Sequence, residues 1–589
     1  MRSVSGIAFV ACGVGLLLTQ LGYSFEDGDQ LQYLLLPYRW IDPRFVEGDW
    51  FTWQTTHYHQ TFGWLIWGLY HVFGNALPEA VFGCHLMVLA GVAYGTLRLA
   101  HAWGFGMAAA ATALLLSSVI RPAAIGGAVL SHGQLLPADM AMPALLLAFA
   151  AWLEDRPLRT GLWLGLSGML HANFAVLGAL VLLPLEAMAA LRARRVRMLI
   201  TMGAAFVALA LPSLYTILRS FLVGDSAPEA VRFALAVRSP HHYQLAAMPP
   251  EDFAWPALLA IAGMPLWLNG SWAADRTRKR QLLAALLLLL TVGLIGSVIQ
   301  ILPIIRLFVW RLSVPLLVIL SFVAAETARR AWQARDVLAG GWLMGCLAVA
   351  ATFVRVDLAR VMAWGPPLLF ALPALVPLTI AGAVLHRRQV ARWLVPLALI
   401  VPLAWTARVA ATPRAPRVEL GETGLPELRG PRLAPIEVSP KLHKGFRWIR
   451  SETPQDARFL IPPSMIGFRL QSRRAVYVDW KCIPMKGEEV LEWRRRFFDV
   501  LGVRKLPATG YLLRRRSEDI YRKRDPAELV ALARREHLTH LLIYKNAAVD
   551  PLLNLERGPV VGMYRIFTIR HGPLRTETNP GPRMPAPPR

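Results

Sequence analysis

The sequence predicts an α-helical polytopic membrane protein of about 13 transmembrane helices, followed by a soluble α/β domain on the far side of the membrane. Three observations carry this. Apolar residues make up 55% of the 589 positions and charged residues only 17%, too little charge to cover a soluble chain of this size. The apolar residues fall in unbroken blocks such as 198–217 and 282–302, each close to the ~20 residues a helix needs to cross ~30 Å of hydrocarbon. Basic residues cluster in short connections: Arg192, Arg194, Arg195 and Arg197; Arg276, Arg278, Lys279 and Arg280; Arg387, Arg388 and Arg392. Short basic loops between apolar blocks follow the positive-inside rule. Despite the net charge of +25, these clusters therefore read as topology and not as the basic signature of a nucleic-acid partner.

Taken in order, the apolar blocks predict spans near 5–23, 77–100, 103–120, 139–153, 160–171, 173–190, 198–217, 254–270, 282–302, 308–326, 337–353, 363–386 and 391–408. The first follows a single arginine and lacks a small-residue cleavage site, so it reads as a retained span. Between Gly161 and Glu186 the apolar stretch is too long for one span and too short for two, with basic loops on both sides. Two short half-helices meeting near His171, Ala172 and Asn173 reconcile the charges, since broken backbone at membrane depth is tolerated beside protein or a wet cavity. With the arginine-rich loops on the cytoplasmic side of an inner membrane, the first outer loop, 24–61, is acidic. The aromatic stretch 61–73, with Trp64, Trp67 and Tyr70, reads as a helix lying in the interface.

The transmembrane part ends near residue 410. A Pro- and Gly-rich linker, 411–440, leads to a periplasmic domain over 441–574 and a Pro-rich tail, 575–589, expected to be disordered. Strands are predicted at 458–461, 475–480, 540–544 and 564–569, and helices at 487–501 and 525–536, the last opened by Asp525-Pro526. The four cysteines, Cys12, Cys84, Cys346 and Cys482, form neither a disulfide framework nor a zinc pattern.

Candidate chemistry concentrates on the outer face. Glu26, Asp27 and Asp29 follow directly on the first span; a carboxylate there could take a proton from an incoming hydroxyl or help hold a divalent cation. His57 and His59 close the loop, and His241 and His242 sit on another outer segment; neutral imidazoles can shuttle protons, bind metal or donate to phosphate oxygens. His171 is an ionisable group inside an apolar segment, where such groups face a cavity or a polar partner. Arg306 and Arg311 flank the outer end of a span, against the positive-inside trend, and guanidinium groups grip phosphate in bidentate fashion.

Glu26-Asp27-Gly28-Asp29, the aromatic segment 61–73, Gly168-Met169-Leu170-His171 and the Arg306 region together resemble the GT-C superfamily of membrane glycosyltransferases. That resemblance implies a first-loop carboxylate acting as base toward an acceptor, a polyprenyl-phosphate-linked sugar donor and membrane lipids as partners. A transporter or flippase for a lipid-linked or anionic substrate, and a non-catalytic membrane protein, are the competing expectations. The chain also resembles a group of uncharacterised bacterial polytopic proteins through Asp42-Pro43 with Glu47-Gly48-Asp49, Pro240-His241-His242, and Phe468-Arg469 leading to Val478-Asp479-Trp480-Lys481.

Overall fold

A computed structural model describes residues 3–57, 59–119, 124–222, 228–249, 251–263, 266, 276–335, 340, 341, 343, 346 and 440–570. The linker, the tail, most of the 337–353 span and the spans expected at 363–386 and 391–408 lie outside the described residues.

The membrane part is helical. Its helices are α1 (Ser3–Leu21), the short loop helices α2 (Gln30–Tyr33), α3 (Leu35–Ile41) and α4 (Trp50–Gln54), then α5 (Gln60–Phe73), α6 (Leu77–Ala102), α7 (Met107–Val119), α8 (Pro137–Leu153), α9 (Pro157–Leu170), α10 (Ala172–Arg192) and α11 (Val196–Leu222). After them come α12 (Pro228–Arg232), α13 (Pro240–Tyr243), α14 (Glu251–Ala262), α15 (Arg276–Val298), α16 (Leu302–Arg306) and α17 (Ser313–Ala334). Five helical stretches among the described residues are long and apolar enough to cross a membrane: Gln60–Ala102, Ala172–Arg192, Val196–Tyr215, Thr277–Val298 and Val309–Ala334. The first of these bends at Gly74, whose φ of 55° separates α5 from α6.

The bundle has two chemically distinct ends. Arg98 pairs with Glu154 at 2.5 Å, and Arg278 with Asp155 at 2.5 Å, at the end that carries the basic connections. The first loop, the 124–136 connection, His171, α13 and the 303–312 segment all gather at the other end. Side-chain size decides how closely α9 approaches α11: a Cβ on Gly161 would lie 2.3 Å from the Met202 carbonyl oxygen, and one on Gly165 would lie 2.9 Å from that of Phe206. Small residues four apart are how membrane helices pack backbone to backbone.

The 161–186 stretch departs from expectation. His171 does break the helix, with φ −150° and ψ 107°, but α10 runs on for 21 residues, about 31 Å at 1.5 Å per residue. The expected pair of short half-helices is instead a 14-residue helix joined to a full-length one. Their junction lies at the first-loop end, where the His171 ring sits 4.8 Å from that of His59.

The C-terminal region contains α18 (Pro440–Glu452), α19 (Phe468–Ser472), α20 (Gly487–Leu501), α21 (Gly510–Arg522) and α22 (Pro526–Arg535) around a five-stranded sheet. The strands are β1 (Arg458–Leu460), β2 (Ala475–Val476), β3 (His540–Tyr544), β4 (Leu555–Val561) and β5 (Tyr564–Ile569), in the order β2-β1-β3-β5-β4. β1 is parallel to β2 and β3, and β5 is antiparallel to β3 and β4. Asp525 caps α22 by accepting from the Ala527 N–H at 2.9 Å. The predicted strand at 475–480 shrinks to two residues, because beyond Val476 the chain turns to bury Trp480 and Asp479.

This region does not stand apart from the membrane part. One continuous core joins Phe25, Leu34, Phe45, Phe51 and Phe62 of the first loop and α5 to Phe446, Phe459, Phe468, Trp480 and Trp493 of the C-terminal region.

Candidate active site

The three first-loop acids have different surroundings. Glu26 is engaged by the C-terminal region and by its own loop: Tyr38 donates to Oε1 at 2.6 Å, Gln471 donates to Oε2 at 2.9 Å, and Arg473 lies 3.7 Å away. Asp27 is 3% exposed and accepts from the Gly28 N–H at 3.0 Å. Gly28 takes a φ of 52°, in the left-handed region that glycine adopts without strain. The turn swings Asp29 outward, leaving its side chain half exposed and paired with Lys481 of the C-terminal region. That ammonium, first among the causes, holds the Asp29 carboxyl well below the usual carboxylate range; burial opposes it, while His132 and His242 reinforce it.

Opposite lies a fixed cation. The Arg311 Nη1 group donates to His171 Nε2 at 3.0 Å and to Asn173 Oδ1 at 3.1 Å, and the guanidinium stands over Phe308 at 5.1 Å and Phe174 at 5.5 Å. Asn173 is itself anchored through its amide to the Leu307 carbonyl at 2.5 Å. Because His171 and Asn173 occupy Nη1, the Nε and Nη2 donors remain to meet a bidentate anion. The Arg311 charge is felt at His59, Tyr33, Tyr243 and His242, and that of Asp29 at Tyr33, His241 and His242. Tyr33 and His242 thus feel both charges, while His59 and Tyr243 feel that of Arg311.

Each of these neighbouring groups is held in one protonation state. Burial raises the Tyr33 phenol, with the Asp29 charge adding to it, and burial raises Tyr243 against the opposing fields of Arg311 and Arg306. Both are hydroxyl donors at neutral pH. Burial and then Arg311 depress His59 to about 4; burial, then His242, Arg238 and Lys481, depress His241 to about 3. His242 is also lowered, chiefly by burial, and its Nδ1–H donates to the Gly126 carbonyl at 2.7 Å, which leaves Nε2 as the acceptor nitrogen.

The expected residues are thus only partly gathered. Asp29, His59, His171, His241, His242 and Arg311 are linked pairwise by ring contacts, a hydrogen bond and charge couplings, with Arg306 near enough for its charge to reach Tyr243. Glu26 faces Tyr38, Gln471 and Arg473, and Asp27 is buried against the Gly28 N–H. His57 packs against Phe51, with Nε2 3.1 Å from the Thr52 carbonyl. Among the described residues no group of three or more His, Cys, Asp or Glu side chains is placed to hold a metal ion.

Sequence reasoning gave no site role to Lys481, which closes the Val478–Lys481 motif, to Tyr33 and Tyr243, or to the His132–Asp139 pair, in which Nδ1 and Oδ1 are 2.7 Å apart. Asp139 sits in the first turn of α8, 1% exposed. An ionisable residue opening an apolar helix was the available signal. The 131–135 connection that carries His132 lies on the first loop, with Gly133 accepting from the Ser24 N–H at 2.9 Å and Leu135 from Gln30 at 3.2 Å.

The C-terminal region is locked onto this loop by a buried charge triad. Arg469 donates through Nε to Asp49 at 2.8 Å and through Nη1 to Asp479 at 2.5 Å, all three side chains being 3% exposed or less. Asp49 also accepts from the backbone N–H groups of Thr52 at 2.8 Å and Val476 at 3.0 Å, and Asp479 from that of Cys482 at 2.7 Å. Next to it, Arg238 stacks on Trp480 at 4.1 Å and donates to its carbonyl at 2.8 Å. Lys481 follows immediately, so the lock sets its position over Asp29.

Residues 441–500 match a family described as a domain of unknown function, DUF6798. The matched segment contains Arg469, Gln471, Arg473 and Lys481, which are among the residues that contact the first loop, and Asp479, which pairs with Arg469. No curated protein matches the chain.

Proposed function

We propose that the protein is a glycosyltransferase of the GT-C type, moving a sugar from a polyprenyl-phosphate-linked donor to an acceptor at the periplasmic face of the inner membrane. The observation that carries this reading is a partly exposed carboxylate, Asp29, near enough for its charge to reach Arg311, a guanidinium held through Nη1 by His171 and Asn173. The acceptor hydroxyl gives its proton to the Asp29 carboxylate as its oxygen attacks the anomeric carbon, and the bond from that carbon to the lipid-phosphate oxygen breaks. The charge that develops on the leaving phosphate falls to Arg311, with Arg306 alongside and the Tyr33 and Tyr243 hydroxyls as further donors.

Lys481 fits the same scheme. While it pairs with Asp29 the carboxylate is a weak base; a donor phosphate drawing the ammonium away would free Asp29 only when donor is bound. The basic connections belong on the cytoplasmic side and the first loop on the periplasmic side, with the exposed Trp64 and Trp67 of α5 in the interface and about 13 spans in the whole chain. A transporter would need its helix break near the middle of the membrane, whereas His171 lies beside the first loop.

Purified full-length protein assayed with a panel of polyprenyl-phosphate sugars tests the proposal. Asp29→Asn should lower turnover by ~10²–10⁴-fold and leave donor binding close to wild type, while Arg311→Gln should weaken donor binding. Wild-type turnover by Asp29→Asn would remove this carboxylate from the chemistry.

A further inference from the structure

A groove of about 390 Å³ opens between α6, α8, α9 and α11 at the basic end of the bundle. Asp139, beneath the first loop, begins α8 and Glu154, at the groove, ends it. The groove is lined from Leu147 onward, ten residues past the Pro137 start of that helix, so about 15 Å or more of α8 separates it from the helix's first-loop end.

The groove has an apolar wall and a charged rim. Leu147, Leu162, Trp163, Leu166 and Leu209 line the wall, and Arg98, Glu154 and Arg159 stand at the rim. Arg98 is held through Nη2 by Glu154 at 2.5 Å and reaches Tyr94 through Nη1 at 3.4 Å. Arg159 is exposed and has no ion-pair partner among the described residues. Two guanidinium groups against one carboxylate leave the rim positive.

We propose that this groove is a binding site for an anionic glycerophospholipid, with its phosphate between Arg159 and Arg98 and an acyl chain along Leu147, Leu162 and Leu166. Two arguments select that occupant. The wall offers a water-soluble ligand almost no polar partner, but continues the apolar flank of α9, where Leu158 and Leu162 are exposed. A positive rim between spans at the basic end is where anionic headgroups bind, and guanidinium matches phosphate in bidentate fashion. A zwitterionic headgroup would bring its own cation toward Arg159.

Native mass spectrometry of the detergent-solubilised full chain, titrated with phosphatidylglycerol or phosphatidylcholine, tests this without any assumption about catalysis. Wild type should retain phosphatidylglycerol preferentially, and Arg159→Gln should lose ~5-fold of that retention, the worth of one basic residue at a membrane surface. Arg156→Gln removes the same charge outside the groove and should retain the lipid as wild type does. Leu162→Trp, which fills the wall, should reduce retention of both lipids. Equal retention by Arg159→Gln and wild type would overturn the site. So would an equal loss in Arg156→Gln, which would reduce the effect to diffuse charge, or unchanged retention in Leu162→Trp, which would put the chain elsewhere.

Discussion

Replacing Arg469 by methionine removes the cation from the triad that fastens the C-terminal region to the first loop. The variant keeps the aliphatic bulk beside Phe51, over whose ring the guanidinium lies at 5.6 Å, so the change is mainly one of charge. It leaves Asp49 and Asp479, 0% and 2% exposed, facing each other with only backbone and Thr52 donors. Leaving a buried charge without its partner costs ~3–5 kcal/mol, two to four orders of magnitude in the folding equilibrium. Equilibrium denaturation of the solubilised full chain, followed by tryptophan fluorescence, reads this directly, because Trp480 and Trp493 lie in the shared core. Arg495→Met is the control: that arginine is 46% exposed and pairs with Glu492 and Asp499 on its own helix, so its loss should cost ~0–1 kcal/mol. In the double variant Asp49→Asn/Arg469→Met the losses should fall short of the sum by ~1 kcal/mol or more, since both residues belong to one network. A loss below ~1 kcal/mol in Arg469→Met, or strict additivity in the double variant, would show that the triad does not hold the two parts together.

Lys481→Met should raise the Asp29 pKa toward the ordinary carboxylate value, since the ammonium is the first cause of its depression; the acid limb of the activity profile should move to higher pH, and an unmoved limb would detach Asp29 from the rate. Acid should destabilise the fold well above the carboxylate range. His59 and His540 are depressed to about 4 and His241 to about 3, chiefly by burial, so the stability of their neutral forms is complete above ~6.5 and is lost as pH falls toward those values. Thermal melts at pH 7.5 and 4.5 should show it, and His540→Phe, which keeps the stacking on Phe459, should lose less; identical melting at both pH values would contradict the assignment. Gly165→Leu should force α9 from α11, where the Phe206 carbonyl leaves no room for a side chain, and lower the melting temperature, whereas Gly203→Leu, at a position open to solvent or lipid, should not.

What could be read from the sequence follows from the range of the forces involved. Membrane helices announce themselves because hydrocarbon demands local satisfaction of every backbone group, so apolar block length alone placed α6, α11 and α15. The Asp525-Pro526 cap was equally readable, being a contact two residues long. The 161–186 stretch was misjudged because hydropathy reports length and not where a helix turns; only the pairing of His171 with Arg311 and its approach to His59 fix that junction at the first-loop end. α18, α21 and β4 were not anticipated. α18 and α21 are charged amphipathic helices whose buried faces, such as Phe446 with Ile449 and Leu513 with Tyr521, match neither an apolar block nor a strand alternation.

The site shows the same limit more sharply. Asp49, His241, Arg469, Asp479 and Lys481 all stand in segments that were singled out as motifs, yet one-dimensional spacing does not tell which pairs with which across more than 400 residues. The pairing changes the chemistry assigned to each. Asp49 becomes a buried anchor, while Asp29, three residues past Glu26, becomes the acid that keeps an exposed face. Its partner Lys481 is two residues beyond the anchor Asp479, so the contact that docks the C-terminal region also sets the charge over the proposed base. Weakening the triad should therefore disturb Asp29 even though Arg469 and Asp49 pair with each other and with Asp479 and not with Asp29. Arg469→Met should shift the acid limb of activity upward, in the same direction as Lys481→Met. A destabilised Arg469→Met protein with an unshifted acid limb would separate docking from chemistry and leave Lys481 positioned by Arg238 and Trp480 alone.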